Sequence, residues 1–303
     1  MSQDVGWRQS PLVSVFWQYL EPAQAAQRSL PRANWFRRGR NVLLIRSLLV
    51  AAGACLPPIG SCAGASERAV DLELVLAADI SGSMDLKEVA LQRRGFAQAI
   101  RHPDVIKVIQ QGTLGRIAIA YVEWAGHHYQ RMMVGWREVG DTKSAIAFAG
   151  EIGRLSLRTK RWTSISSAIT YSAHSFEGNG FHGRRRIIDI SGDGPNNKGP
   201  SVVLARNRAV KDGIVINGLP IINDRPDPDG SPRPANLDIY YADCVIGGPG
   251  SFVIIAHGVE DFARAIRQKM VLEIADRAPK DSPLWLTSSN LVARCAWWLY
   301  FRR

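Results

Sequence analysis

Cysteine and histidine are scarce in this chain, which has four cysteines and six histidines among its 303 residues. None of them shows the CxxC or Cys/His spacing of a zinc site, and the cysteines do not form the pattern of a disulfide framework. We therefore interpret Cys244 as a small buried apolar residue. The chain also lacks a G-x-S-x-G nucleophile elbow and a GxxxxGKS/T phosphate-binding loop, so neither an α/β-hydrolase nor a P-loop protein is predicted.

Acidic residues are outnumbered, but the excess positive charge lies at the two ends of the chain. The formal net charge is +11. Residues 1–65 hold seven Lys/Arg and two Asp/Glu, and residues 277–303 hold five and one, which leaves +2 for residues 66–276. This nearly neutral middle predicts no nucleic-acid partner. The last segment is aromatic as well as basic, so association with the cell envelope through the terminal segments remains open.

Long hydrophobic runs are absent too, and the apolar run near the start has the features of an export signal. Within residues 37–65, a basic stretch comes before an apolar core, 47–59, which is too short and too interrupted by proline to span a bilayer. An Ala-Gly-Ala cleavage site follows, so we expect the mature chain to begin near Ser66, in the periplasm or outside the cell. Lipid anchoring at Cys62 and an ordinary buried helix are the alternatives.

Residues 1–36 precede this signal, whereas an export signal normally begins a chain. We interpret them as an N-terminal extension that results from a start assigned too far upstream, with translation beginning near Val42 or Leu43. Residues 277–303 are predicted to be a C-terminal extension that lies outside the folded domain.

Apolar strands alternate with helical periods between residues 70 and 276. The predicted strands cover 72–79, 115–126, 128–136, 184–194, 214–223 and 251–258. The predicted helices cover 85–100, 141–152, 163–176, 200–213 and 259–276, with a helix or turn at 236–247. This alternation predicts one doubly wound α/β domain, with helices on both faces of a mostly parallel sheet and an antiparallel strand at its edge, residues 128–136.

Three polar turns are predicted to lie at one edge of this sheet. Asp79, Ser81 and Ser83 follow the first strand. Asp193 follows the strand that begins at residue 184, and Thr163 begins a helix. Ligands bind at the carboxyl ends of strands in such sheets. Hydroxyls and carboxylates without histidine or thiolate make a hard-oxygen site, which suits Mg²⁺, or Mn²⁺ and Ca²⁺, and disfavours zinc.

The pattern Asp79-x-Ser81-x-Ser83, then Thr163, then Asp193 resembles the metal-ion-dependent adhesion site of von Willebrand factor type A domains. The segment "LVLAADISGSM" is similar to that family's first strand and loop, and "RRRIIDISGDGPNN" is similar to its strand that ends in Asp-Gly. The resemblance covers about residues 70–276. More narrowly, the chain resembles a group of exported bacterial proteins of this type whose function is uncharacterised.

This resemblance implies particular functions for the five residues. Ser81 and Ser83 would bind the metal directly, and Thr163 would do so in one state of its loop. Asp79 and Asp193 would act mainly through bound waters. The chain departs from the family pattern before Thr163, where it has Arg161-Trp162 and the family commonly has glycines.

The resemblance further implies a binding module and not an enzyme. A protein partner would supply an Asp or Glu to the open position of the metal. Two alternatives remain: a metal-free scaffold subunit of an envelope assembly, and a hydrolase that uses Ser81 or Ser83 or the metal. Asp189 lies within a predicted strand, where it either supports the site from behind or is satisfied by an internal hydrogen bond.

Overall fold

The computed structural model describes residues 67–222, 230, 234–258, 261–277 and 295. These residues belong to one unit that runs from Ser61 to Arg303. The predicted N-terminal extension and export signal lie outside them, as does the predicted C-terminal extension apart from Arg277 and Cys295. No helix in this part of the chain is both long enough and apolar enough to cross a membrane.

A six-stranded sheet forms the centre of the domain. The strands of the described residues are β1 (Arg68–Val70), β2 (Glu73–Asp79), β3 (Ile117–Trp124), β4 (Gln130–Val139), β5 (Phe181–Gly183), β6 (Arg186–Gly192), β7 (Ile214–Ile222) and β8 (Ala256–His257). The sheet has the order β4-β3-β2-β6-β7-β8, and β1 pairs with β5 separately. Every neighbouring pair of the sheet is parallel except β3 and β4.

The predicted doubly wound, mostly parallel sheet with an antiparallel edge strand is therefore confirmed. The last predicted strand, 251–258, is shorter than expected. Within this segment, Ala256–His257 (β8) pair with β7, and Val253 makes an isolated bridge to Gly218 of β7. The pair β1 and β5 was not predicted, because three-residue strands are too short to show a period.

Helices cover both faces of the sheet. They are α1 (Leu86–Ile100), α2 (Pro103–Gln110), α3 (Thr142–Gly153), α4 (Ile165–His174), α5 (Val202–Lys211), α6 (Leu237–Tyr240) and α7 (Phe262–Ile274), and α6 continues into a π-helical turn, Tyr241–Val245. Side chains of α1, α2, α3 and α7 share one buried cluster, and those of α4, α5 and α6 share a second.

Strand β2 separates these two clusters and contributes to both. All seven of its residues are buried. Leu74 and Leu76 enter the first cluster, whereas Val75 and Ala77 enter the second. Successive side chains of a strand point to opposite faces, so an uninterrupted apolar run is what a doubly covered strand requires. Asp79 is the last residue of β2 and is buried like the others.

A buried ion-pair network connects α7 to the middle of the sheet. Lys269 is 0% exposed, and its Nζ lies 2.7 Å from Asp189 Oδ1 and 2.5 Å from Glu273 Oε1. Asn217 of β7 donates to the same Glu273 oxygen at 2.9 Å. Asp189 therefore has an internal ionic partner, although neither of its oxygens makes a hydrogen bond within the described residues. Burial is the main cause that raises the pKa of Asp189 to about 7, against the opposing charge of Lys269.

This raised pKa predicts a pH dependence of stability. A carboxyl group whose pKa is higher in the folded than in the unfolded protein favours folding below its unfolded value, 3.8, and that contribution is lost as the pH rises through about 7. We therefore expect the wild type to lose unfolding free energy relative to Asp189→Asn over this interval, because the amide does not ionise. Urea unfolding of both proteins across the interval measures the difference, and a difference independent of pH would contradict this expectation.

Candidate metal centre

The predicted polar residues come together where β2 and β6 end. These two strands are parallel neighbours in register, with Ala78 opposite Ser191. Asp79 ends β2, and Ser81 and Ser83 follow in the turn before α1. Asp193 follows β6 directly. Parallel strands that lie side by side bring their carboxyl ends to the same edge, and this is why residues 114 positions apart in the chain can meet.

Four of the five residues form one hydrogen-bonded chain. Asp79 Oδ1 accepts a hydrogen bond from the backbone N–H of Ser81 at 2.7 Å. The hydroxyl oxygens of Ser81 and Ser83 lie 2.9 Å apart, and Ser83 donates to Asp193 Oδ1 at 2.6 Å. Asp79 and Ser81 are 0% exposed and Asp193 is 2% exposed. The predicted DxSxS turn and the predicted Asp-Gly turn therefore share one small polar cluster.

The fifth residue, Thr163, lies on an adjacent loop that is tied to the loop after Asp193. Its backbone N–H donates to Asn197 Oδ1 at 2.9 Å, and its carbonyl accepts from the N–H groups of Asn197 and Lys198 at 2.9 and 3.1 Å. Thr163 is buried, and its Oγ1 lies 3.9 Å from the point where a Cβ would stand on Gly194. The threonine hydroxyl is thus next to the Asp193 turn.

The departure from the family pattern before Thr163 has a structural counterpart. Trp162 has φ +70°, the left-handed region that glycine adopts without cost and a tryptophan does not. The guanidinium of Arg161 and the ammonium of Lys198 lie 5.7 and 5.3 Å from the centre of its ring. Cation–π contacts of this kind stabilise a side chain in place. The backbone at position 162 therefore has the conformation that glycine favours, and the cation–π contacts stabilise the tryptophan in it.

The electrostatics of the cluster favour a cation. Asp79 Oδ2 is buried, and no donor among the described residues makes a hydrogen bond to it. Burial, followed by the charge of Asp193, raises the pKa of the Asp79 carboxyl well above its ordinary value, although the hydrogen bonds from Ser81 oppose this. A positive ion at the cluster would oppose this shift, because it favours the ionised carboxylate. The residues present therefore fit a divalent cation.

The donor set is built mainly from hydroxyl groups. Within the described ranges, no group of three or more His, Cys, Asp or Glu side chains is placed to hold a metal ion. Three hydroxyls and two carboxylates remain as the donors at this sheet edge. Oxygen donors of this type suit Mg²⁺, Mn²⁺ or Ca²⁺.

Several supporting residues were missed by sequence reasoning. Gln92 of α1 is fully buried and donates to the carbonyl of Asp79 at 2.8 Å. Asn196 accepts from the N–H of Ser166 in α4 at 3.0 Å, while its neighbour Asn197 holds Thr163. The sequence feature that could have identified Asn196 and Asn197 is the pair of asparagines directly after Asp-Gly-Pro. Gln92 could have been found as the polar residue on the buried face of an amphipathic helix.

A disulfide joins Cys244 to Cys295. The prediction that Cys244 is a small apolar residue without a disulfide is therefore wrong. The two cysteines are 51 residues apart, so their pairing depends on tertiary contacts that no spacing rule contains, and their Cα atoms lie 5.8 Å apart. Cys295 is buried in the same apolar cluster as α4 and α5. At least this residue of the C-terminal segment belongs to the folded unit.

Comparison with known proteins identifies the family. The model of the family "Protein of unknown function (DUF1194)" matches residues 69–278, more than two thirds of the chain. Comparison with the curated proteins gives no match.

The solved structures show the fold. Proximal thread matrix protein 1 from the mussel byssus is 12% identical, with a TM-score of 0.50, and the match covers 69% of this chain and 49% of that protein. A structure of that protein with a zinc-occupied MIDAS motif matches at 14% identity and a TM-score of 0.47, covering 69% and 47%. A von Willebrand factor type A protein from Catenulispora acidiphila matches at 16% identity and a TM-score of 0.45, covering 68% and 43%.

The match spans about half the length of these structures, and at such identities the likeness concerns the fold alone. The chain thus belongs to the DUF1194 family, and its domain has the fold of von Willebrand factor type A domains.

Proposed function

We propose that this domain is a binding module that uses a divalent cation to engage an acidic group of a protein partner. The observation that carries the proposal is the hydrogen-bonded cluster of Asp79, Ser81, Ser83 and Asp193, in which the buried Asp79 Oδ2 meets no donor among the described residues. Mg²⁺ is the ion that we expect, with Mn²⁺ or Ca²⁺ as alternatives.

Each residue of the cluster has a defined part in this proposal. Ser81, Ser83 and Thr163 would offer neutral hydroxyl oxygens to the ion, and Asp79 and Asp193 would hold it through negative charge. When bound, the ion supplies positive charge and an open coordination position for an external carboxylate. Few protein carboxylates take part, so most of the charge stays available to the partner. Gln92 and Asn197 fix the backbone that carries these side chains.

The same contacts argue against catalytic turnover. A hydrolytic serine needs an adjacent base that takes its proton and a third group that orients that base. The hydroxyls of Ser81 and Ser83 contact each other, and Ser83 donates to a carboxylate, Asp193, where hydrolases of the triad type have an imidazole. The cluster therefore has the features of a ligand set, and we propose binding without chemistry.

We also propose that the protein is exported, to the periplasm or beyond. The disulfide between Cys244 and Cys295 supports this location, because disulfides persist in oxidising compartments and are rare in the cytosol. The signal-like segment at residues 37–65 supports it independently. Lipid anchoring at Cys62 is the alternative form of export.

Calorimetric titration with Mn²⁺ and Mg²⁺ tests the metal site. We expect the wild type to bind one ion, and Asp79→Asn and Asp193→Asn to lose that binding, because each removes one of the two charges that hold the ion. Asp104→Asn is the matched control, because Asp104 is an exposed carboxylate at the start of α2. Metal-free Asp79→Asn should unfold at the same temperature as the wild type or higher, since a buried carboxylate with one oxygen that lacks a donor is costly. Equal heats from all four proteins, or none from the wild type, would leave a metal-free scaffold.

A short peptide containing Asp and Glu tests the partner chemistry. It should bind the wild type only when the ion is present, and EDTA should release it. The same peptide with amidated side chains is the control, because it keeps the shape and removes the charge. Binding that is unchanged by EDTA would contradict recognition through the ion.

A further inference from the structure

Tyr241 presents a buried hydroxyl with no hydrogen-bond partner among the described residues. It is the first residue of the π-helical turn, and its side chain is 0% exposed. A buried hydroxyl that makes no hydrogen bond is destabilising, so in native proteins such a hydroxyl usually has a bound water or an ion as its partner. Single π-helical turns are also frequent at functional sites.

Two glycines in neighbouring strands make room for this tyrosine. A Cβ on Gly218 of β7 would lie 2.8 Å from the ring carbon Cδ1 of Tyr241. A Cβ on Gly192 of β6 would lie 2.8 Å from the Tyr241 hydroxyl and also 2.8 Å from Asp79 Oδ2. Both distances are shorter than a real Cβ contact allows. Glycine is thus required at both positions, because the ring and the two oxygens occupy the space of a side chain.

The two unpartnered oxygens therefore lie against the same glycine. Each oxygen lies 2.8 Å from the position of a Cβ on Gly192, so the two oxygens are separated by at most about twice that distance. One water that hydrogen-bonds to both oxygens can bridge a gap of this size. One is an acceptor, the carboxylate oxygen of Asp79, and the other belongs to a phenol that can donate. Burial and then the charges of Asp79 and Asp193 raise the pKa of Tyr241 well above its ordinary value, so the phenol keeps its proton.

We propose that Tyr241 is a sixth residue of the cation site, a positioning residue whose hydroxyl donates to Asp79 Oδ2 through one water when the ion is bound. This inference rests on the proposed function. A carboxylate oxygen has two lone pairs, so Oδ2 can accept this hydrogen bond and still serve the ion. The hydrogen bond would fix the orientation of the Asp79 carboxylate. Tyr241 was not predicted to be a site residue, because nothing in the stretch "NLDIYYADCVIG" distinguishes it from a tyrosine of the apolar core.

Titration of Mn²⁺ into the intact protein and into Tyr241→Phe tests the inference. The variant keeps the ring in its slot and removes only the hydroxyl. We expect the Kd for Mn²⁺ to rise about three- to tenfold, the factor that corresponds to one ordinary hydrogen bond. Tyr121→Phe is the matched control, because Tyr121 is an equally buried tyrosine on β3 whose hydroxyl faces Glu123, and its Kd should be unchanged.

Thermal unfolding of the metal-free proteins separates positioning from a structural role. Metal-free Tyr241→Phe should unfold at nearly the same temperature as the wild type or higher, because without the ion the buried Tyr241 hydroxyl has no hydrogen-bond partner among the described residues. Equal Mn²⁺ affinity in wild type and Tyr241→Phe would overturn the inference and leave the proposed function intact. Absence of Mn²⁺ binding by the wild type would overturn both.

Discussion

Lys269→Met should lower the unfolding free energy at pH 8 by about 3–5 kcal/mol, the usual loss when one partner of a buried ion pair is removed. Methionine keeps most of the volume of lysine but leaves Asp189 and Glu273 buried without their cation. Both carboxylates lie within 2.7 Å of Nζ in the wild type, and all three side chains are at most 1% exposed. Urea unfolding monitored by circular dichroism measures the loss.

Two further variants show whether the uncompensated charge is the cause. Arg137→Met breaks an exposed pair with Glu151 and should cost less than about 1 kcal/mol, because solvent screens such pairs. Adding Asp189→Asn to Lys269→Met should recover part of the lost unfolding free energy, because it removes one of the two buried charges that have lost their cation. If the buried and exposed variants lose equal stability, the network does not hold α7 against the sheet.

Cys295→Ala should lower the unfolding free energy by about 2–4 kcal/mol, the typical contribution of a disulfide that restrains the unfolded chain. The bond closes a loop of 51 residues that contains β8 and α7. Cys244→Ala should give the same loss, and the double variant should lose no more than either single one, since all three remove one bond.

Reduction provides the control for this second prediction. Dithiothreitol should lower the stability of the wild type to that of Cys295→Ala and should leave the variant unchanged. A wild type that is insensitive to reductant while Cys295→Ala is destabilised would show that packing of the Cys295 side chain, and not the bond, accounts for the effect.

The sheet and most of the candidate site follow from local features of the sequence. Strand β2 is apolar from Leu74 to Ala78 because both of its faces are covered, and its end is marked by Asp79-x-Ser81-x-Ser83 within five residues. Asp193 has the same position after β6. Once the strands are known to be parallel, the edge that these residues share follows from the topology.

The parts that sequence reasoning missed depend on contacts between distant elements. Lys269 lies on the buried face of α7, where the helical period gives no reason for a polar residue. Its partner Asp189 lies 80 positions earlier, so the local pattern does not indicate the ion pair. Tyr241 reaches the site through a slot that Gly192 and Gly218 leave open on two other segments. Helix α2 was also missed, because eight residues that start at Pro103 give too short a period to be distinguished from a turn.

The bond between Cys244 and Cys295 also decides how the domain would respond to mechanical load. A force that pulls on the two ends of the chain passes from residue 295 through the sulfur atoms to the π-helical turn, and it bypasses the chain between the two cysteines, which are 51 positions apart. Roughly 170 Å of contour length is thereby withheld from extension. Helix α7 lies inside this bypassed loop. Tension on the C-terminal end therefore reaches the sheet next to Tyr241 without first unwinding the helix that carries Lys269.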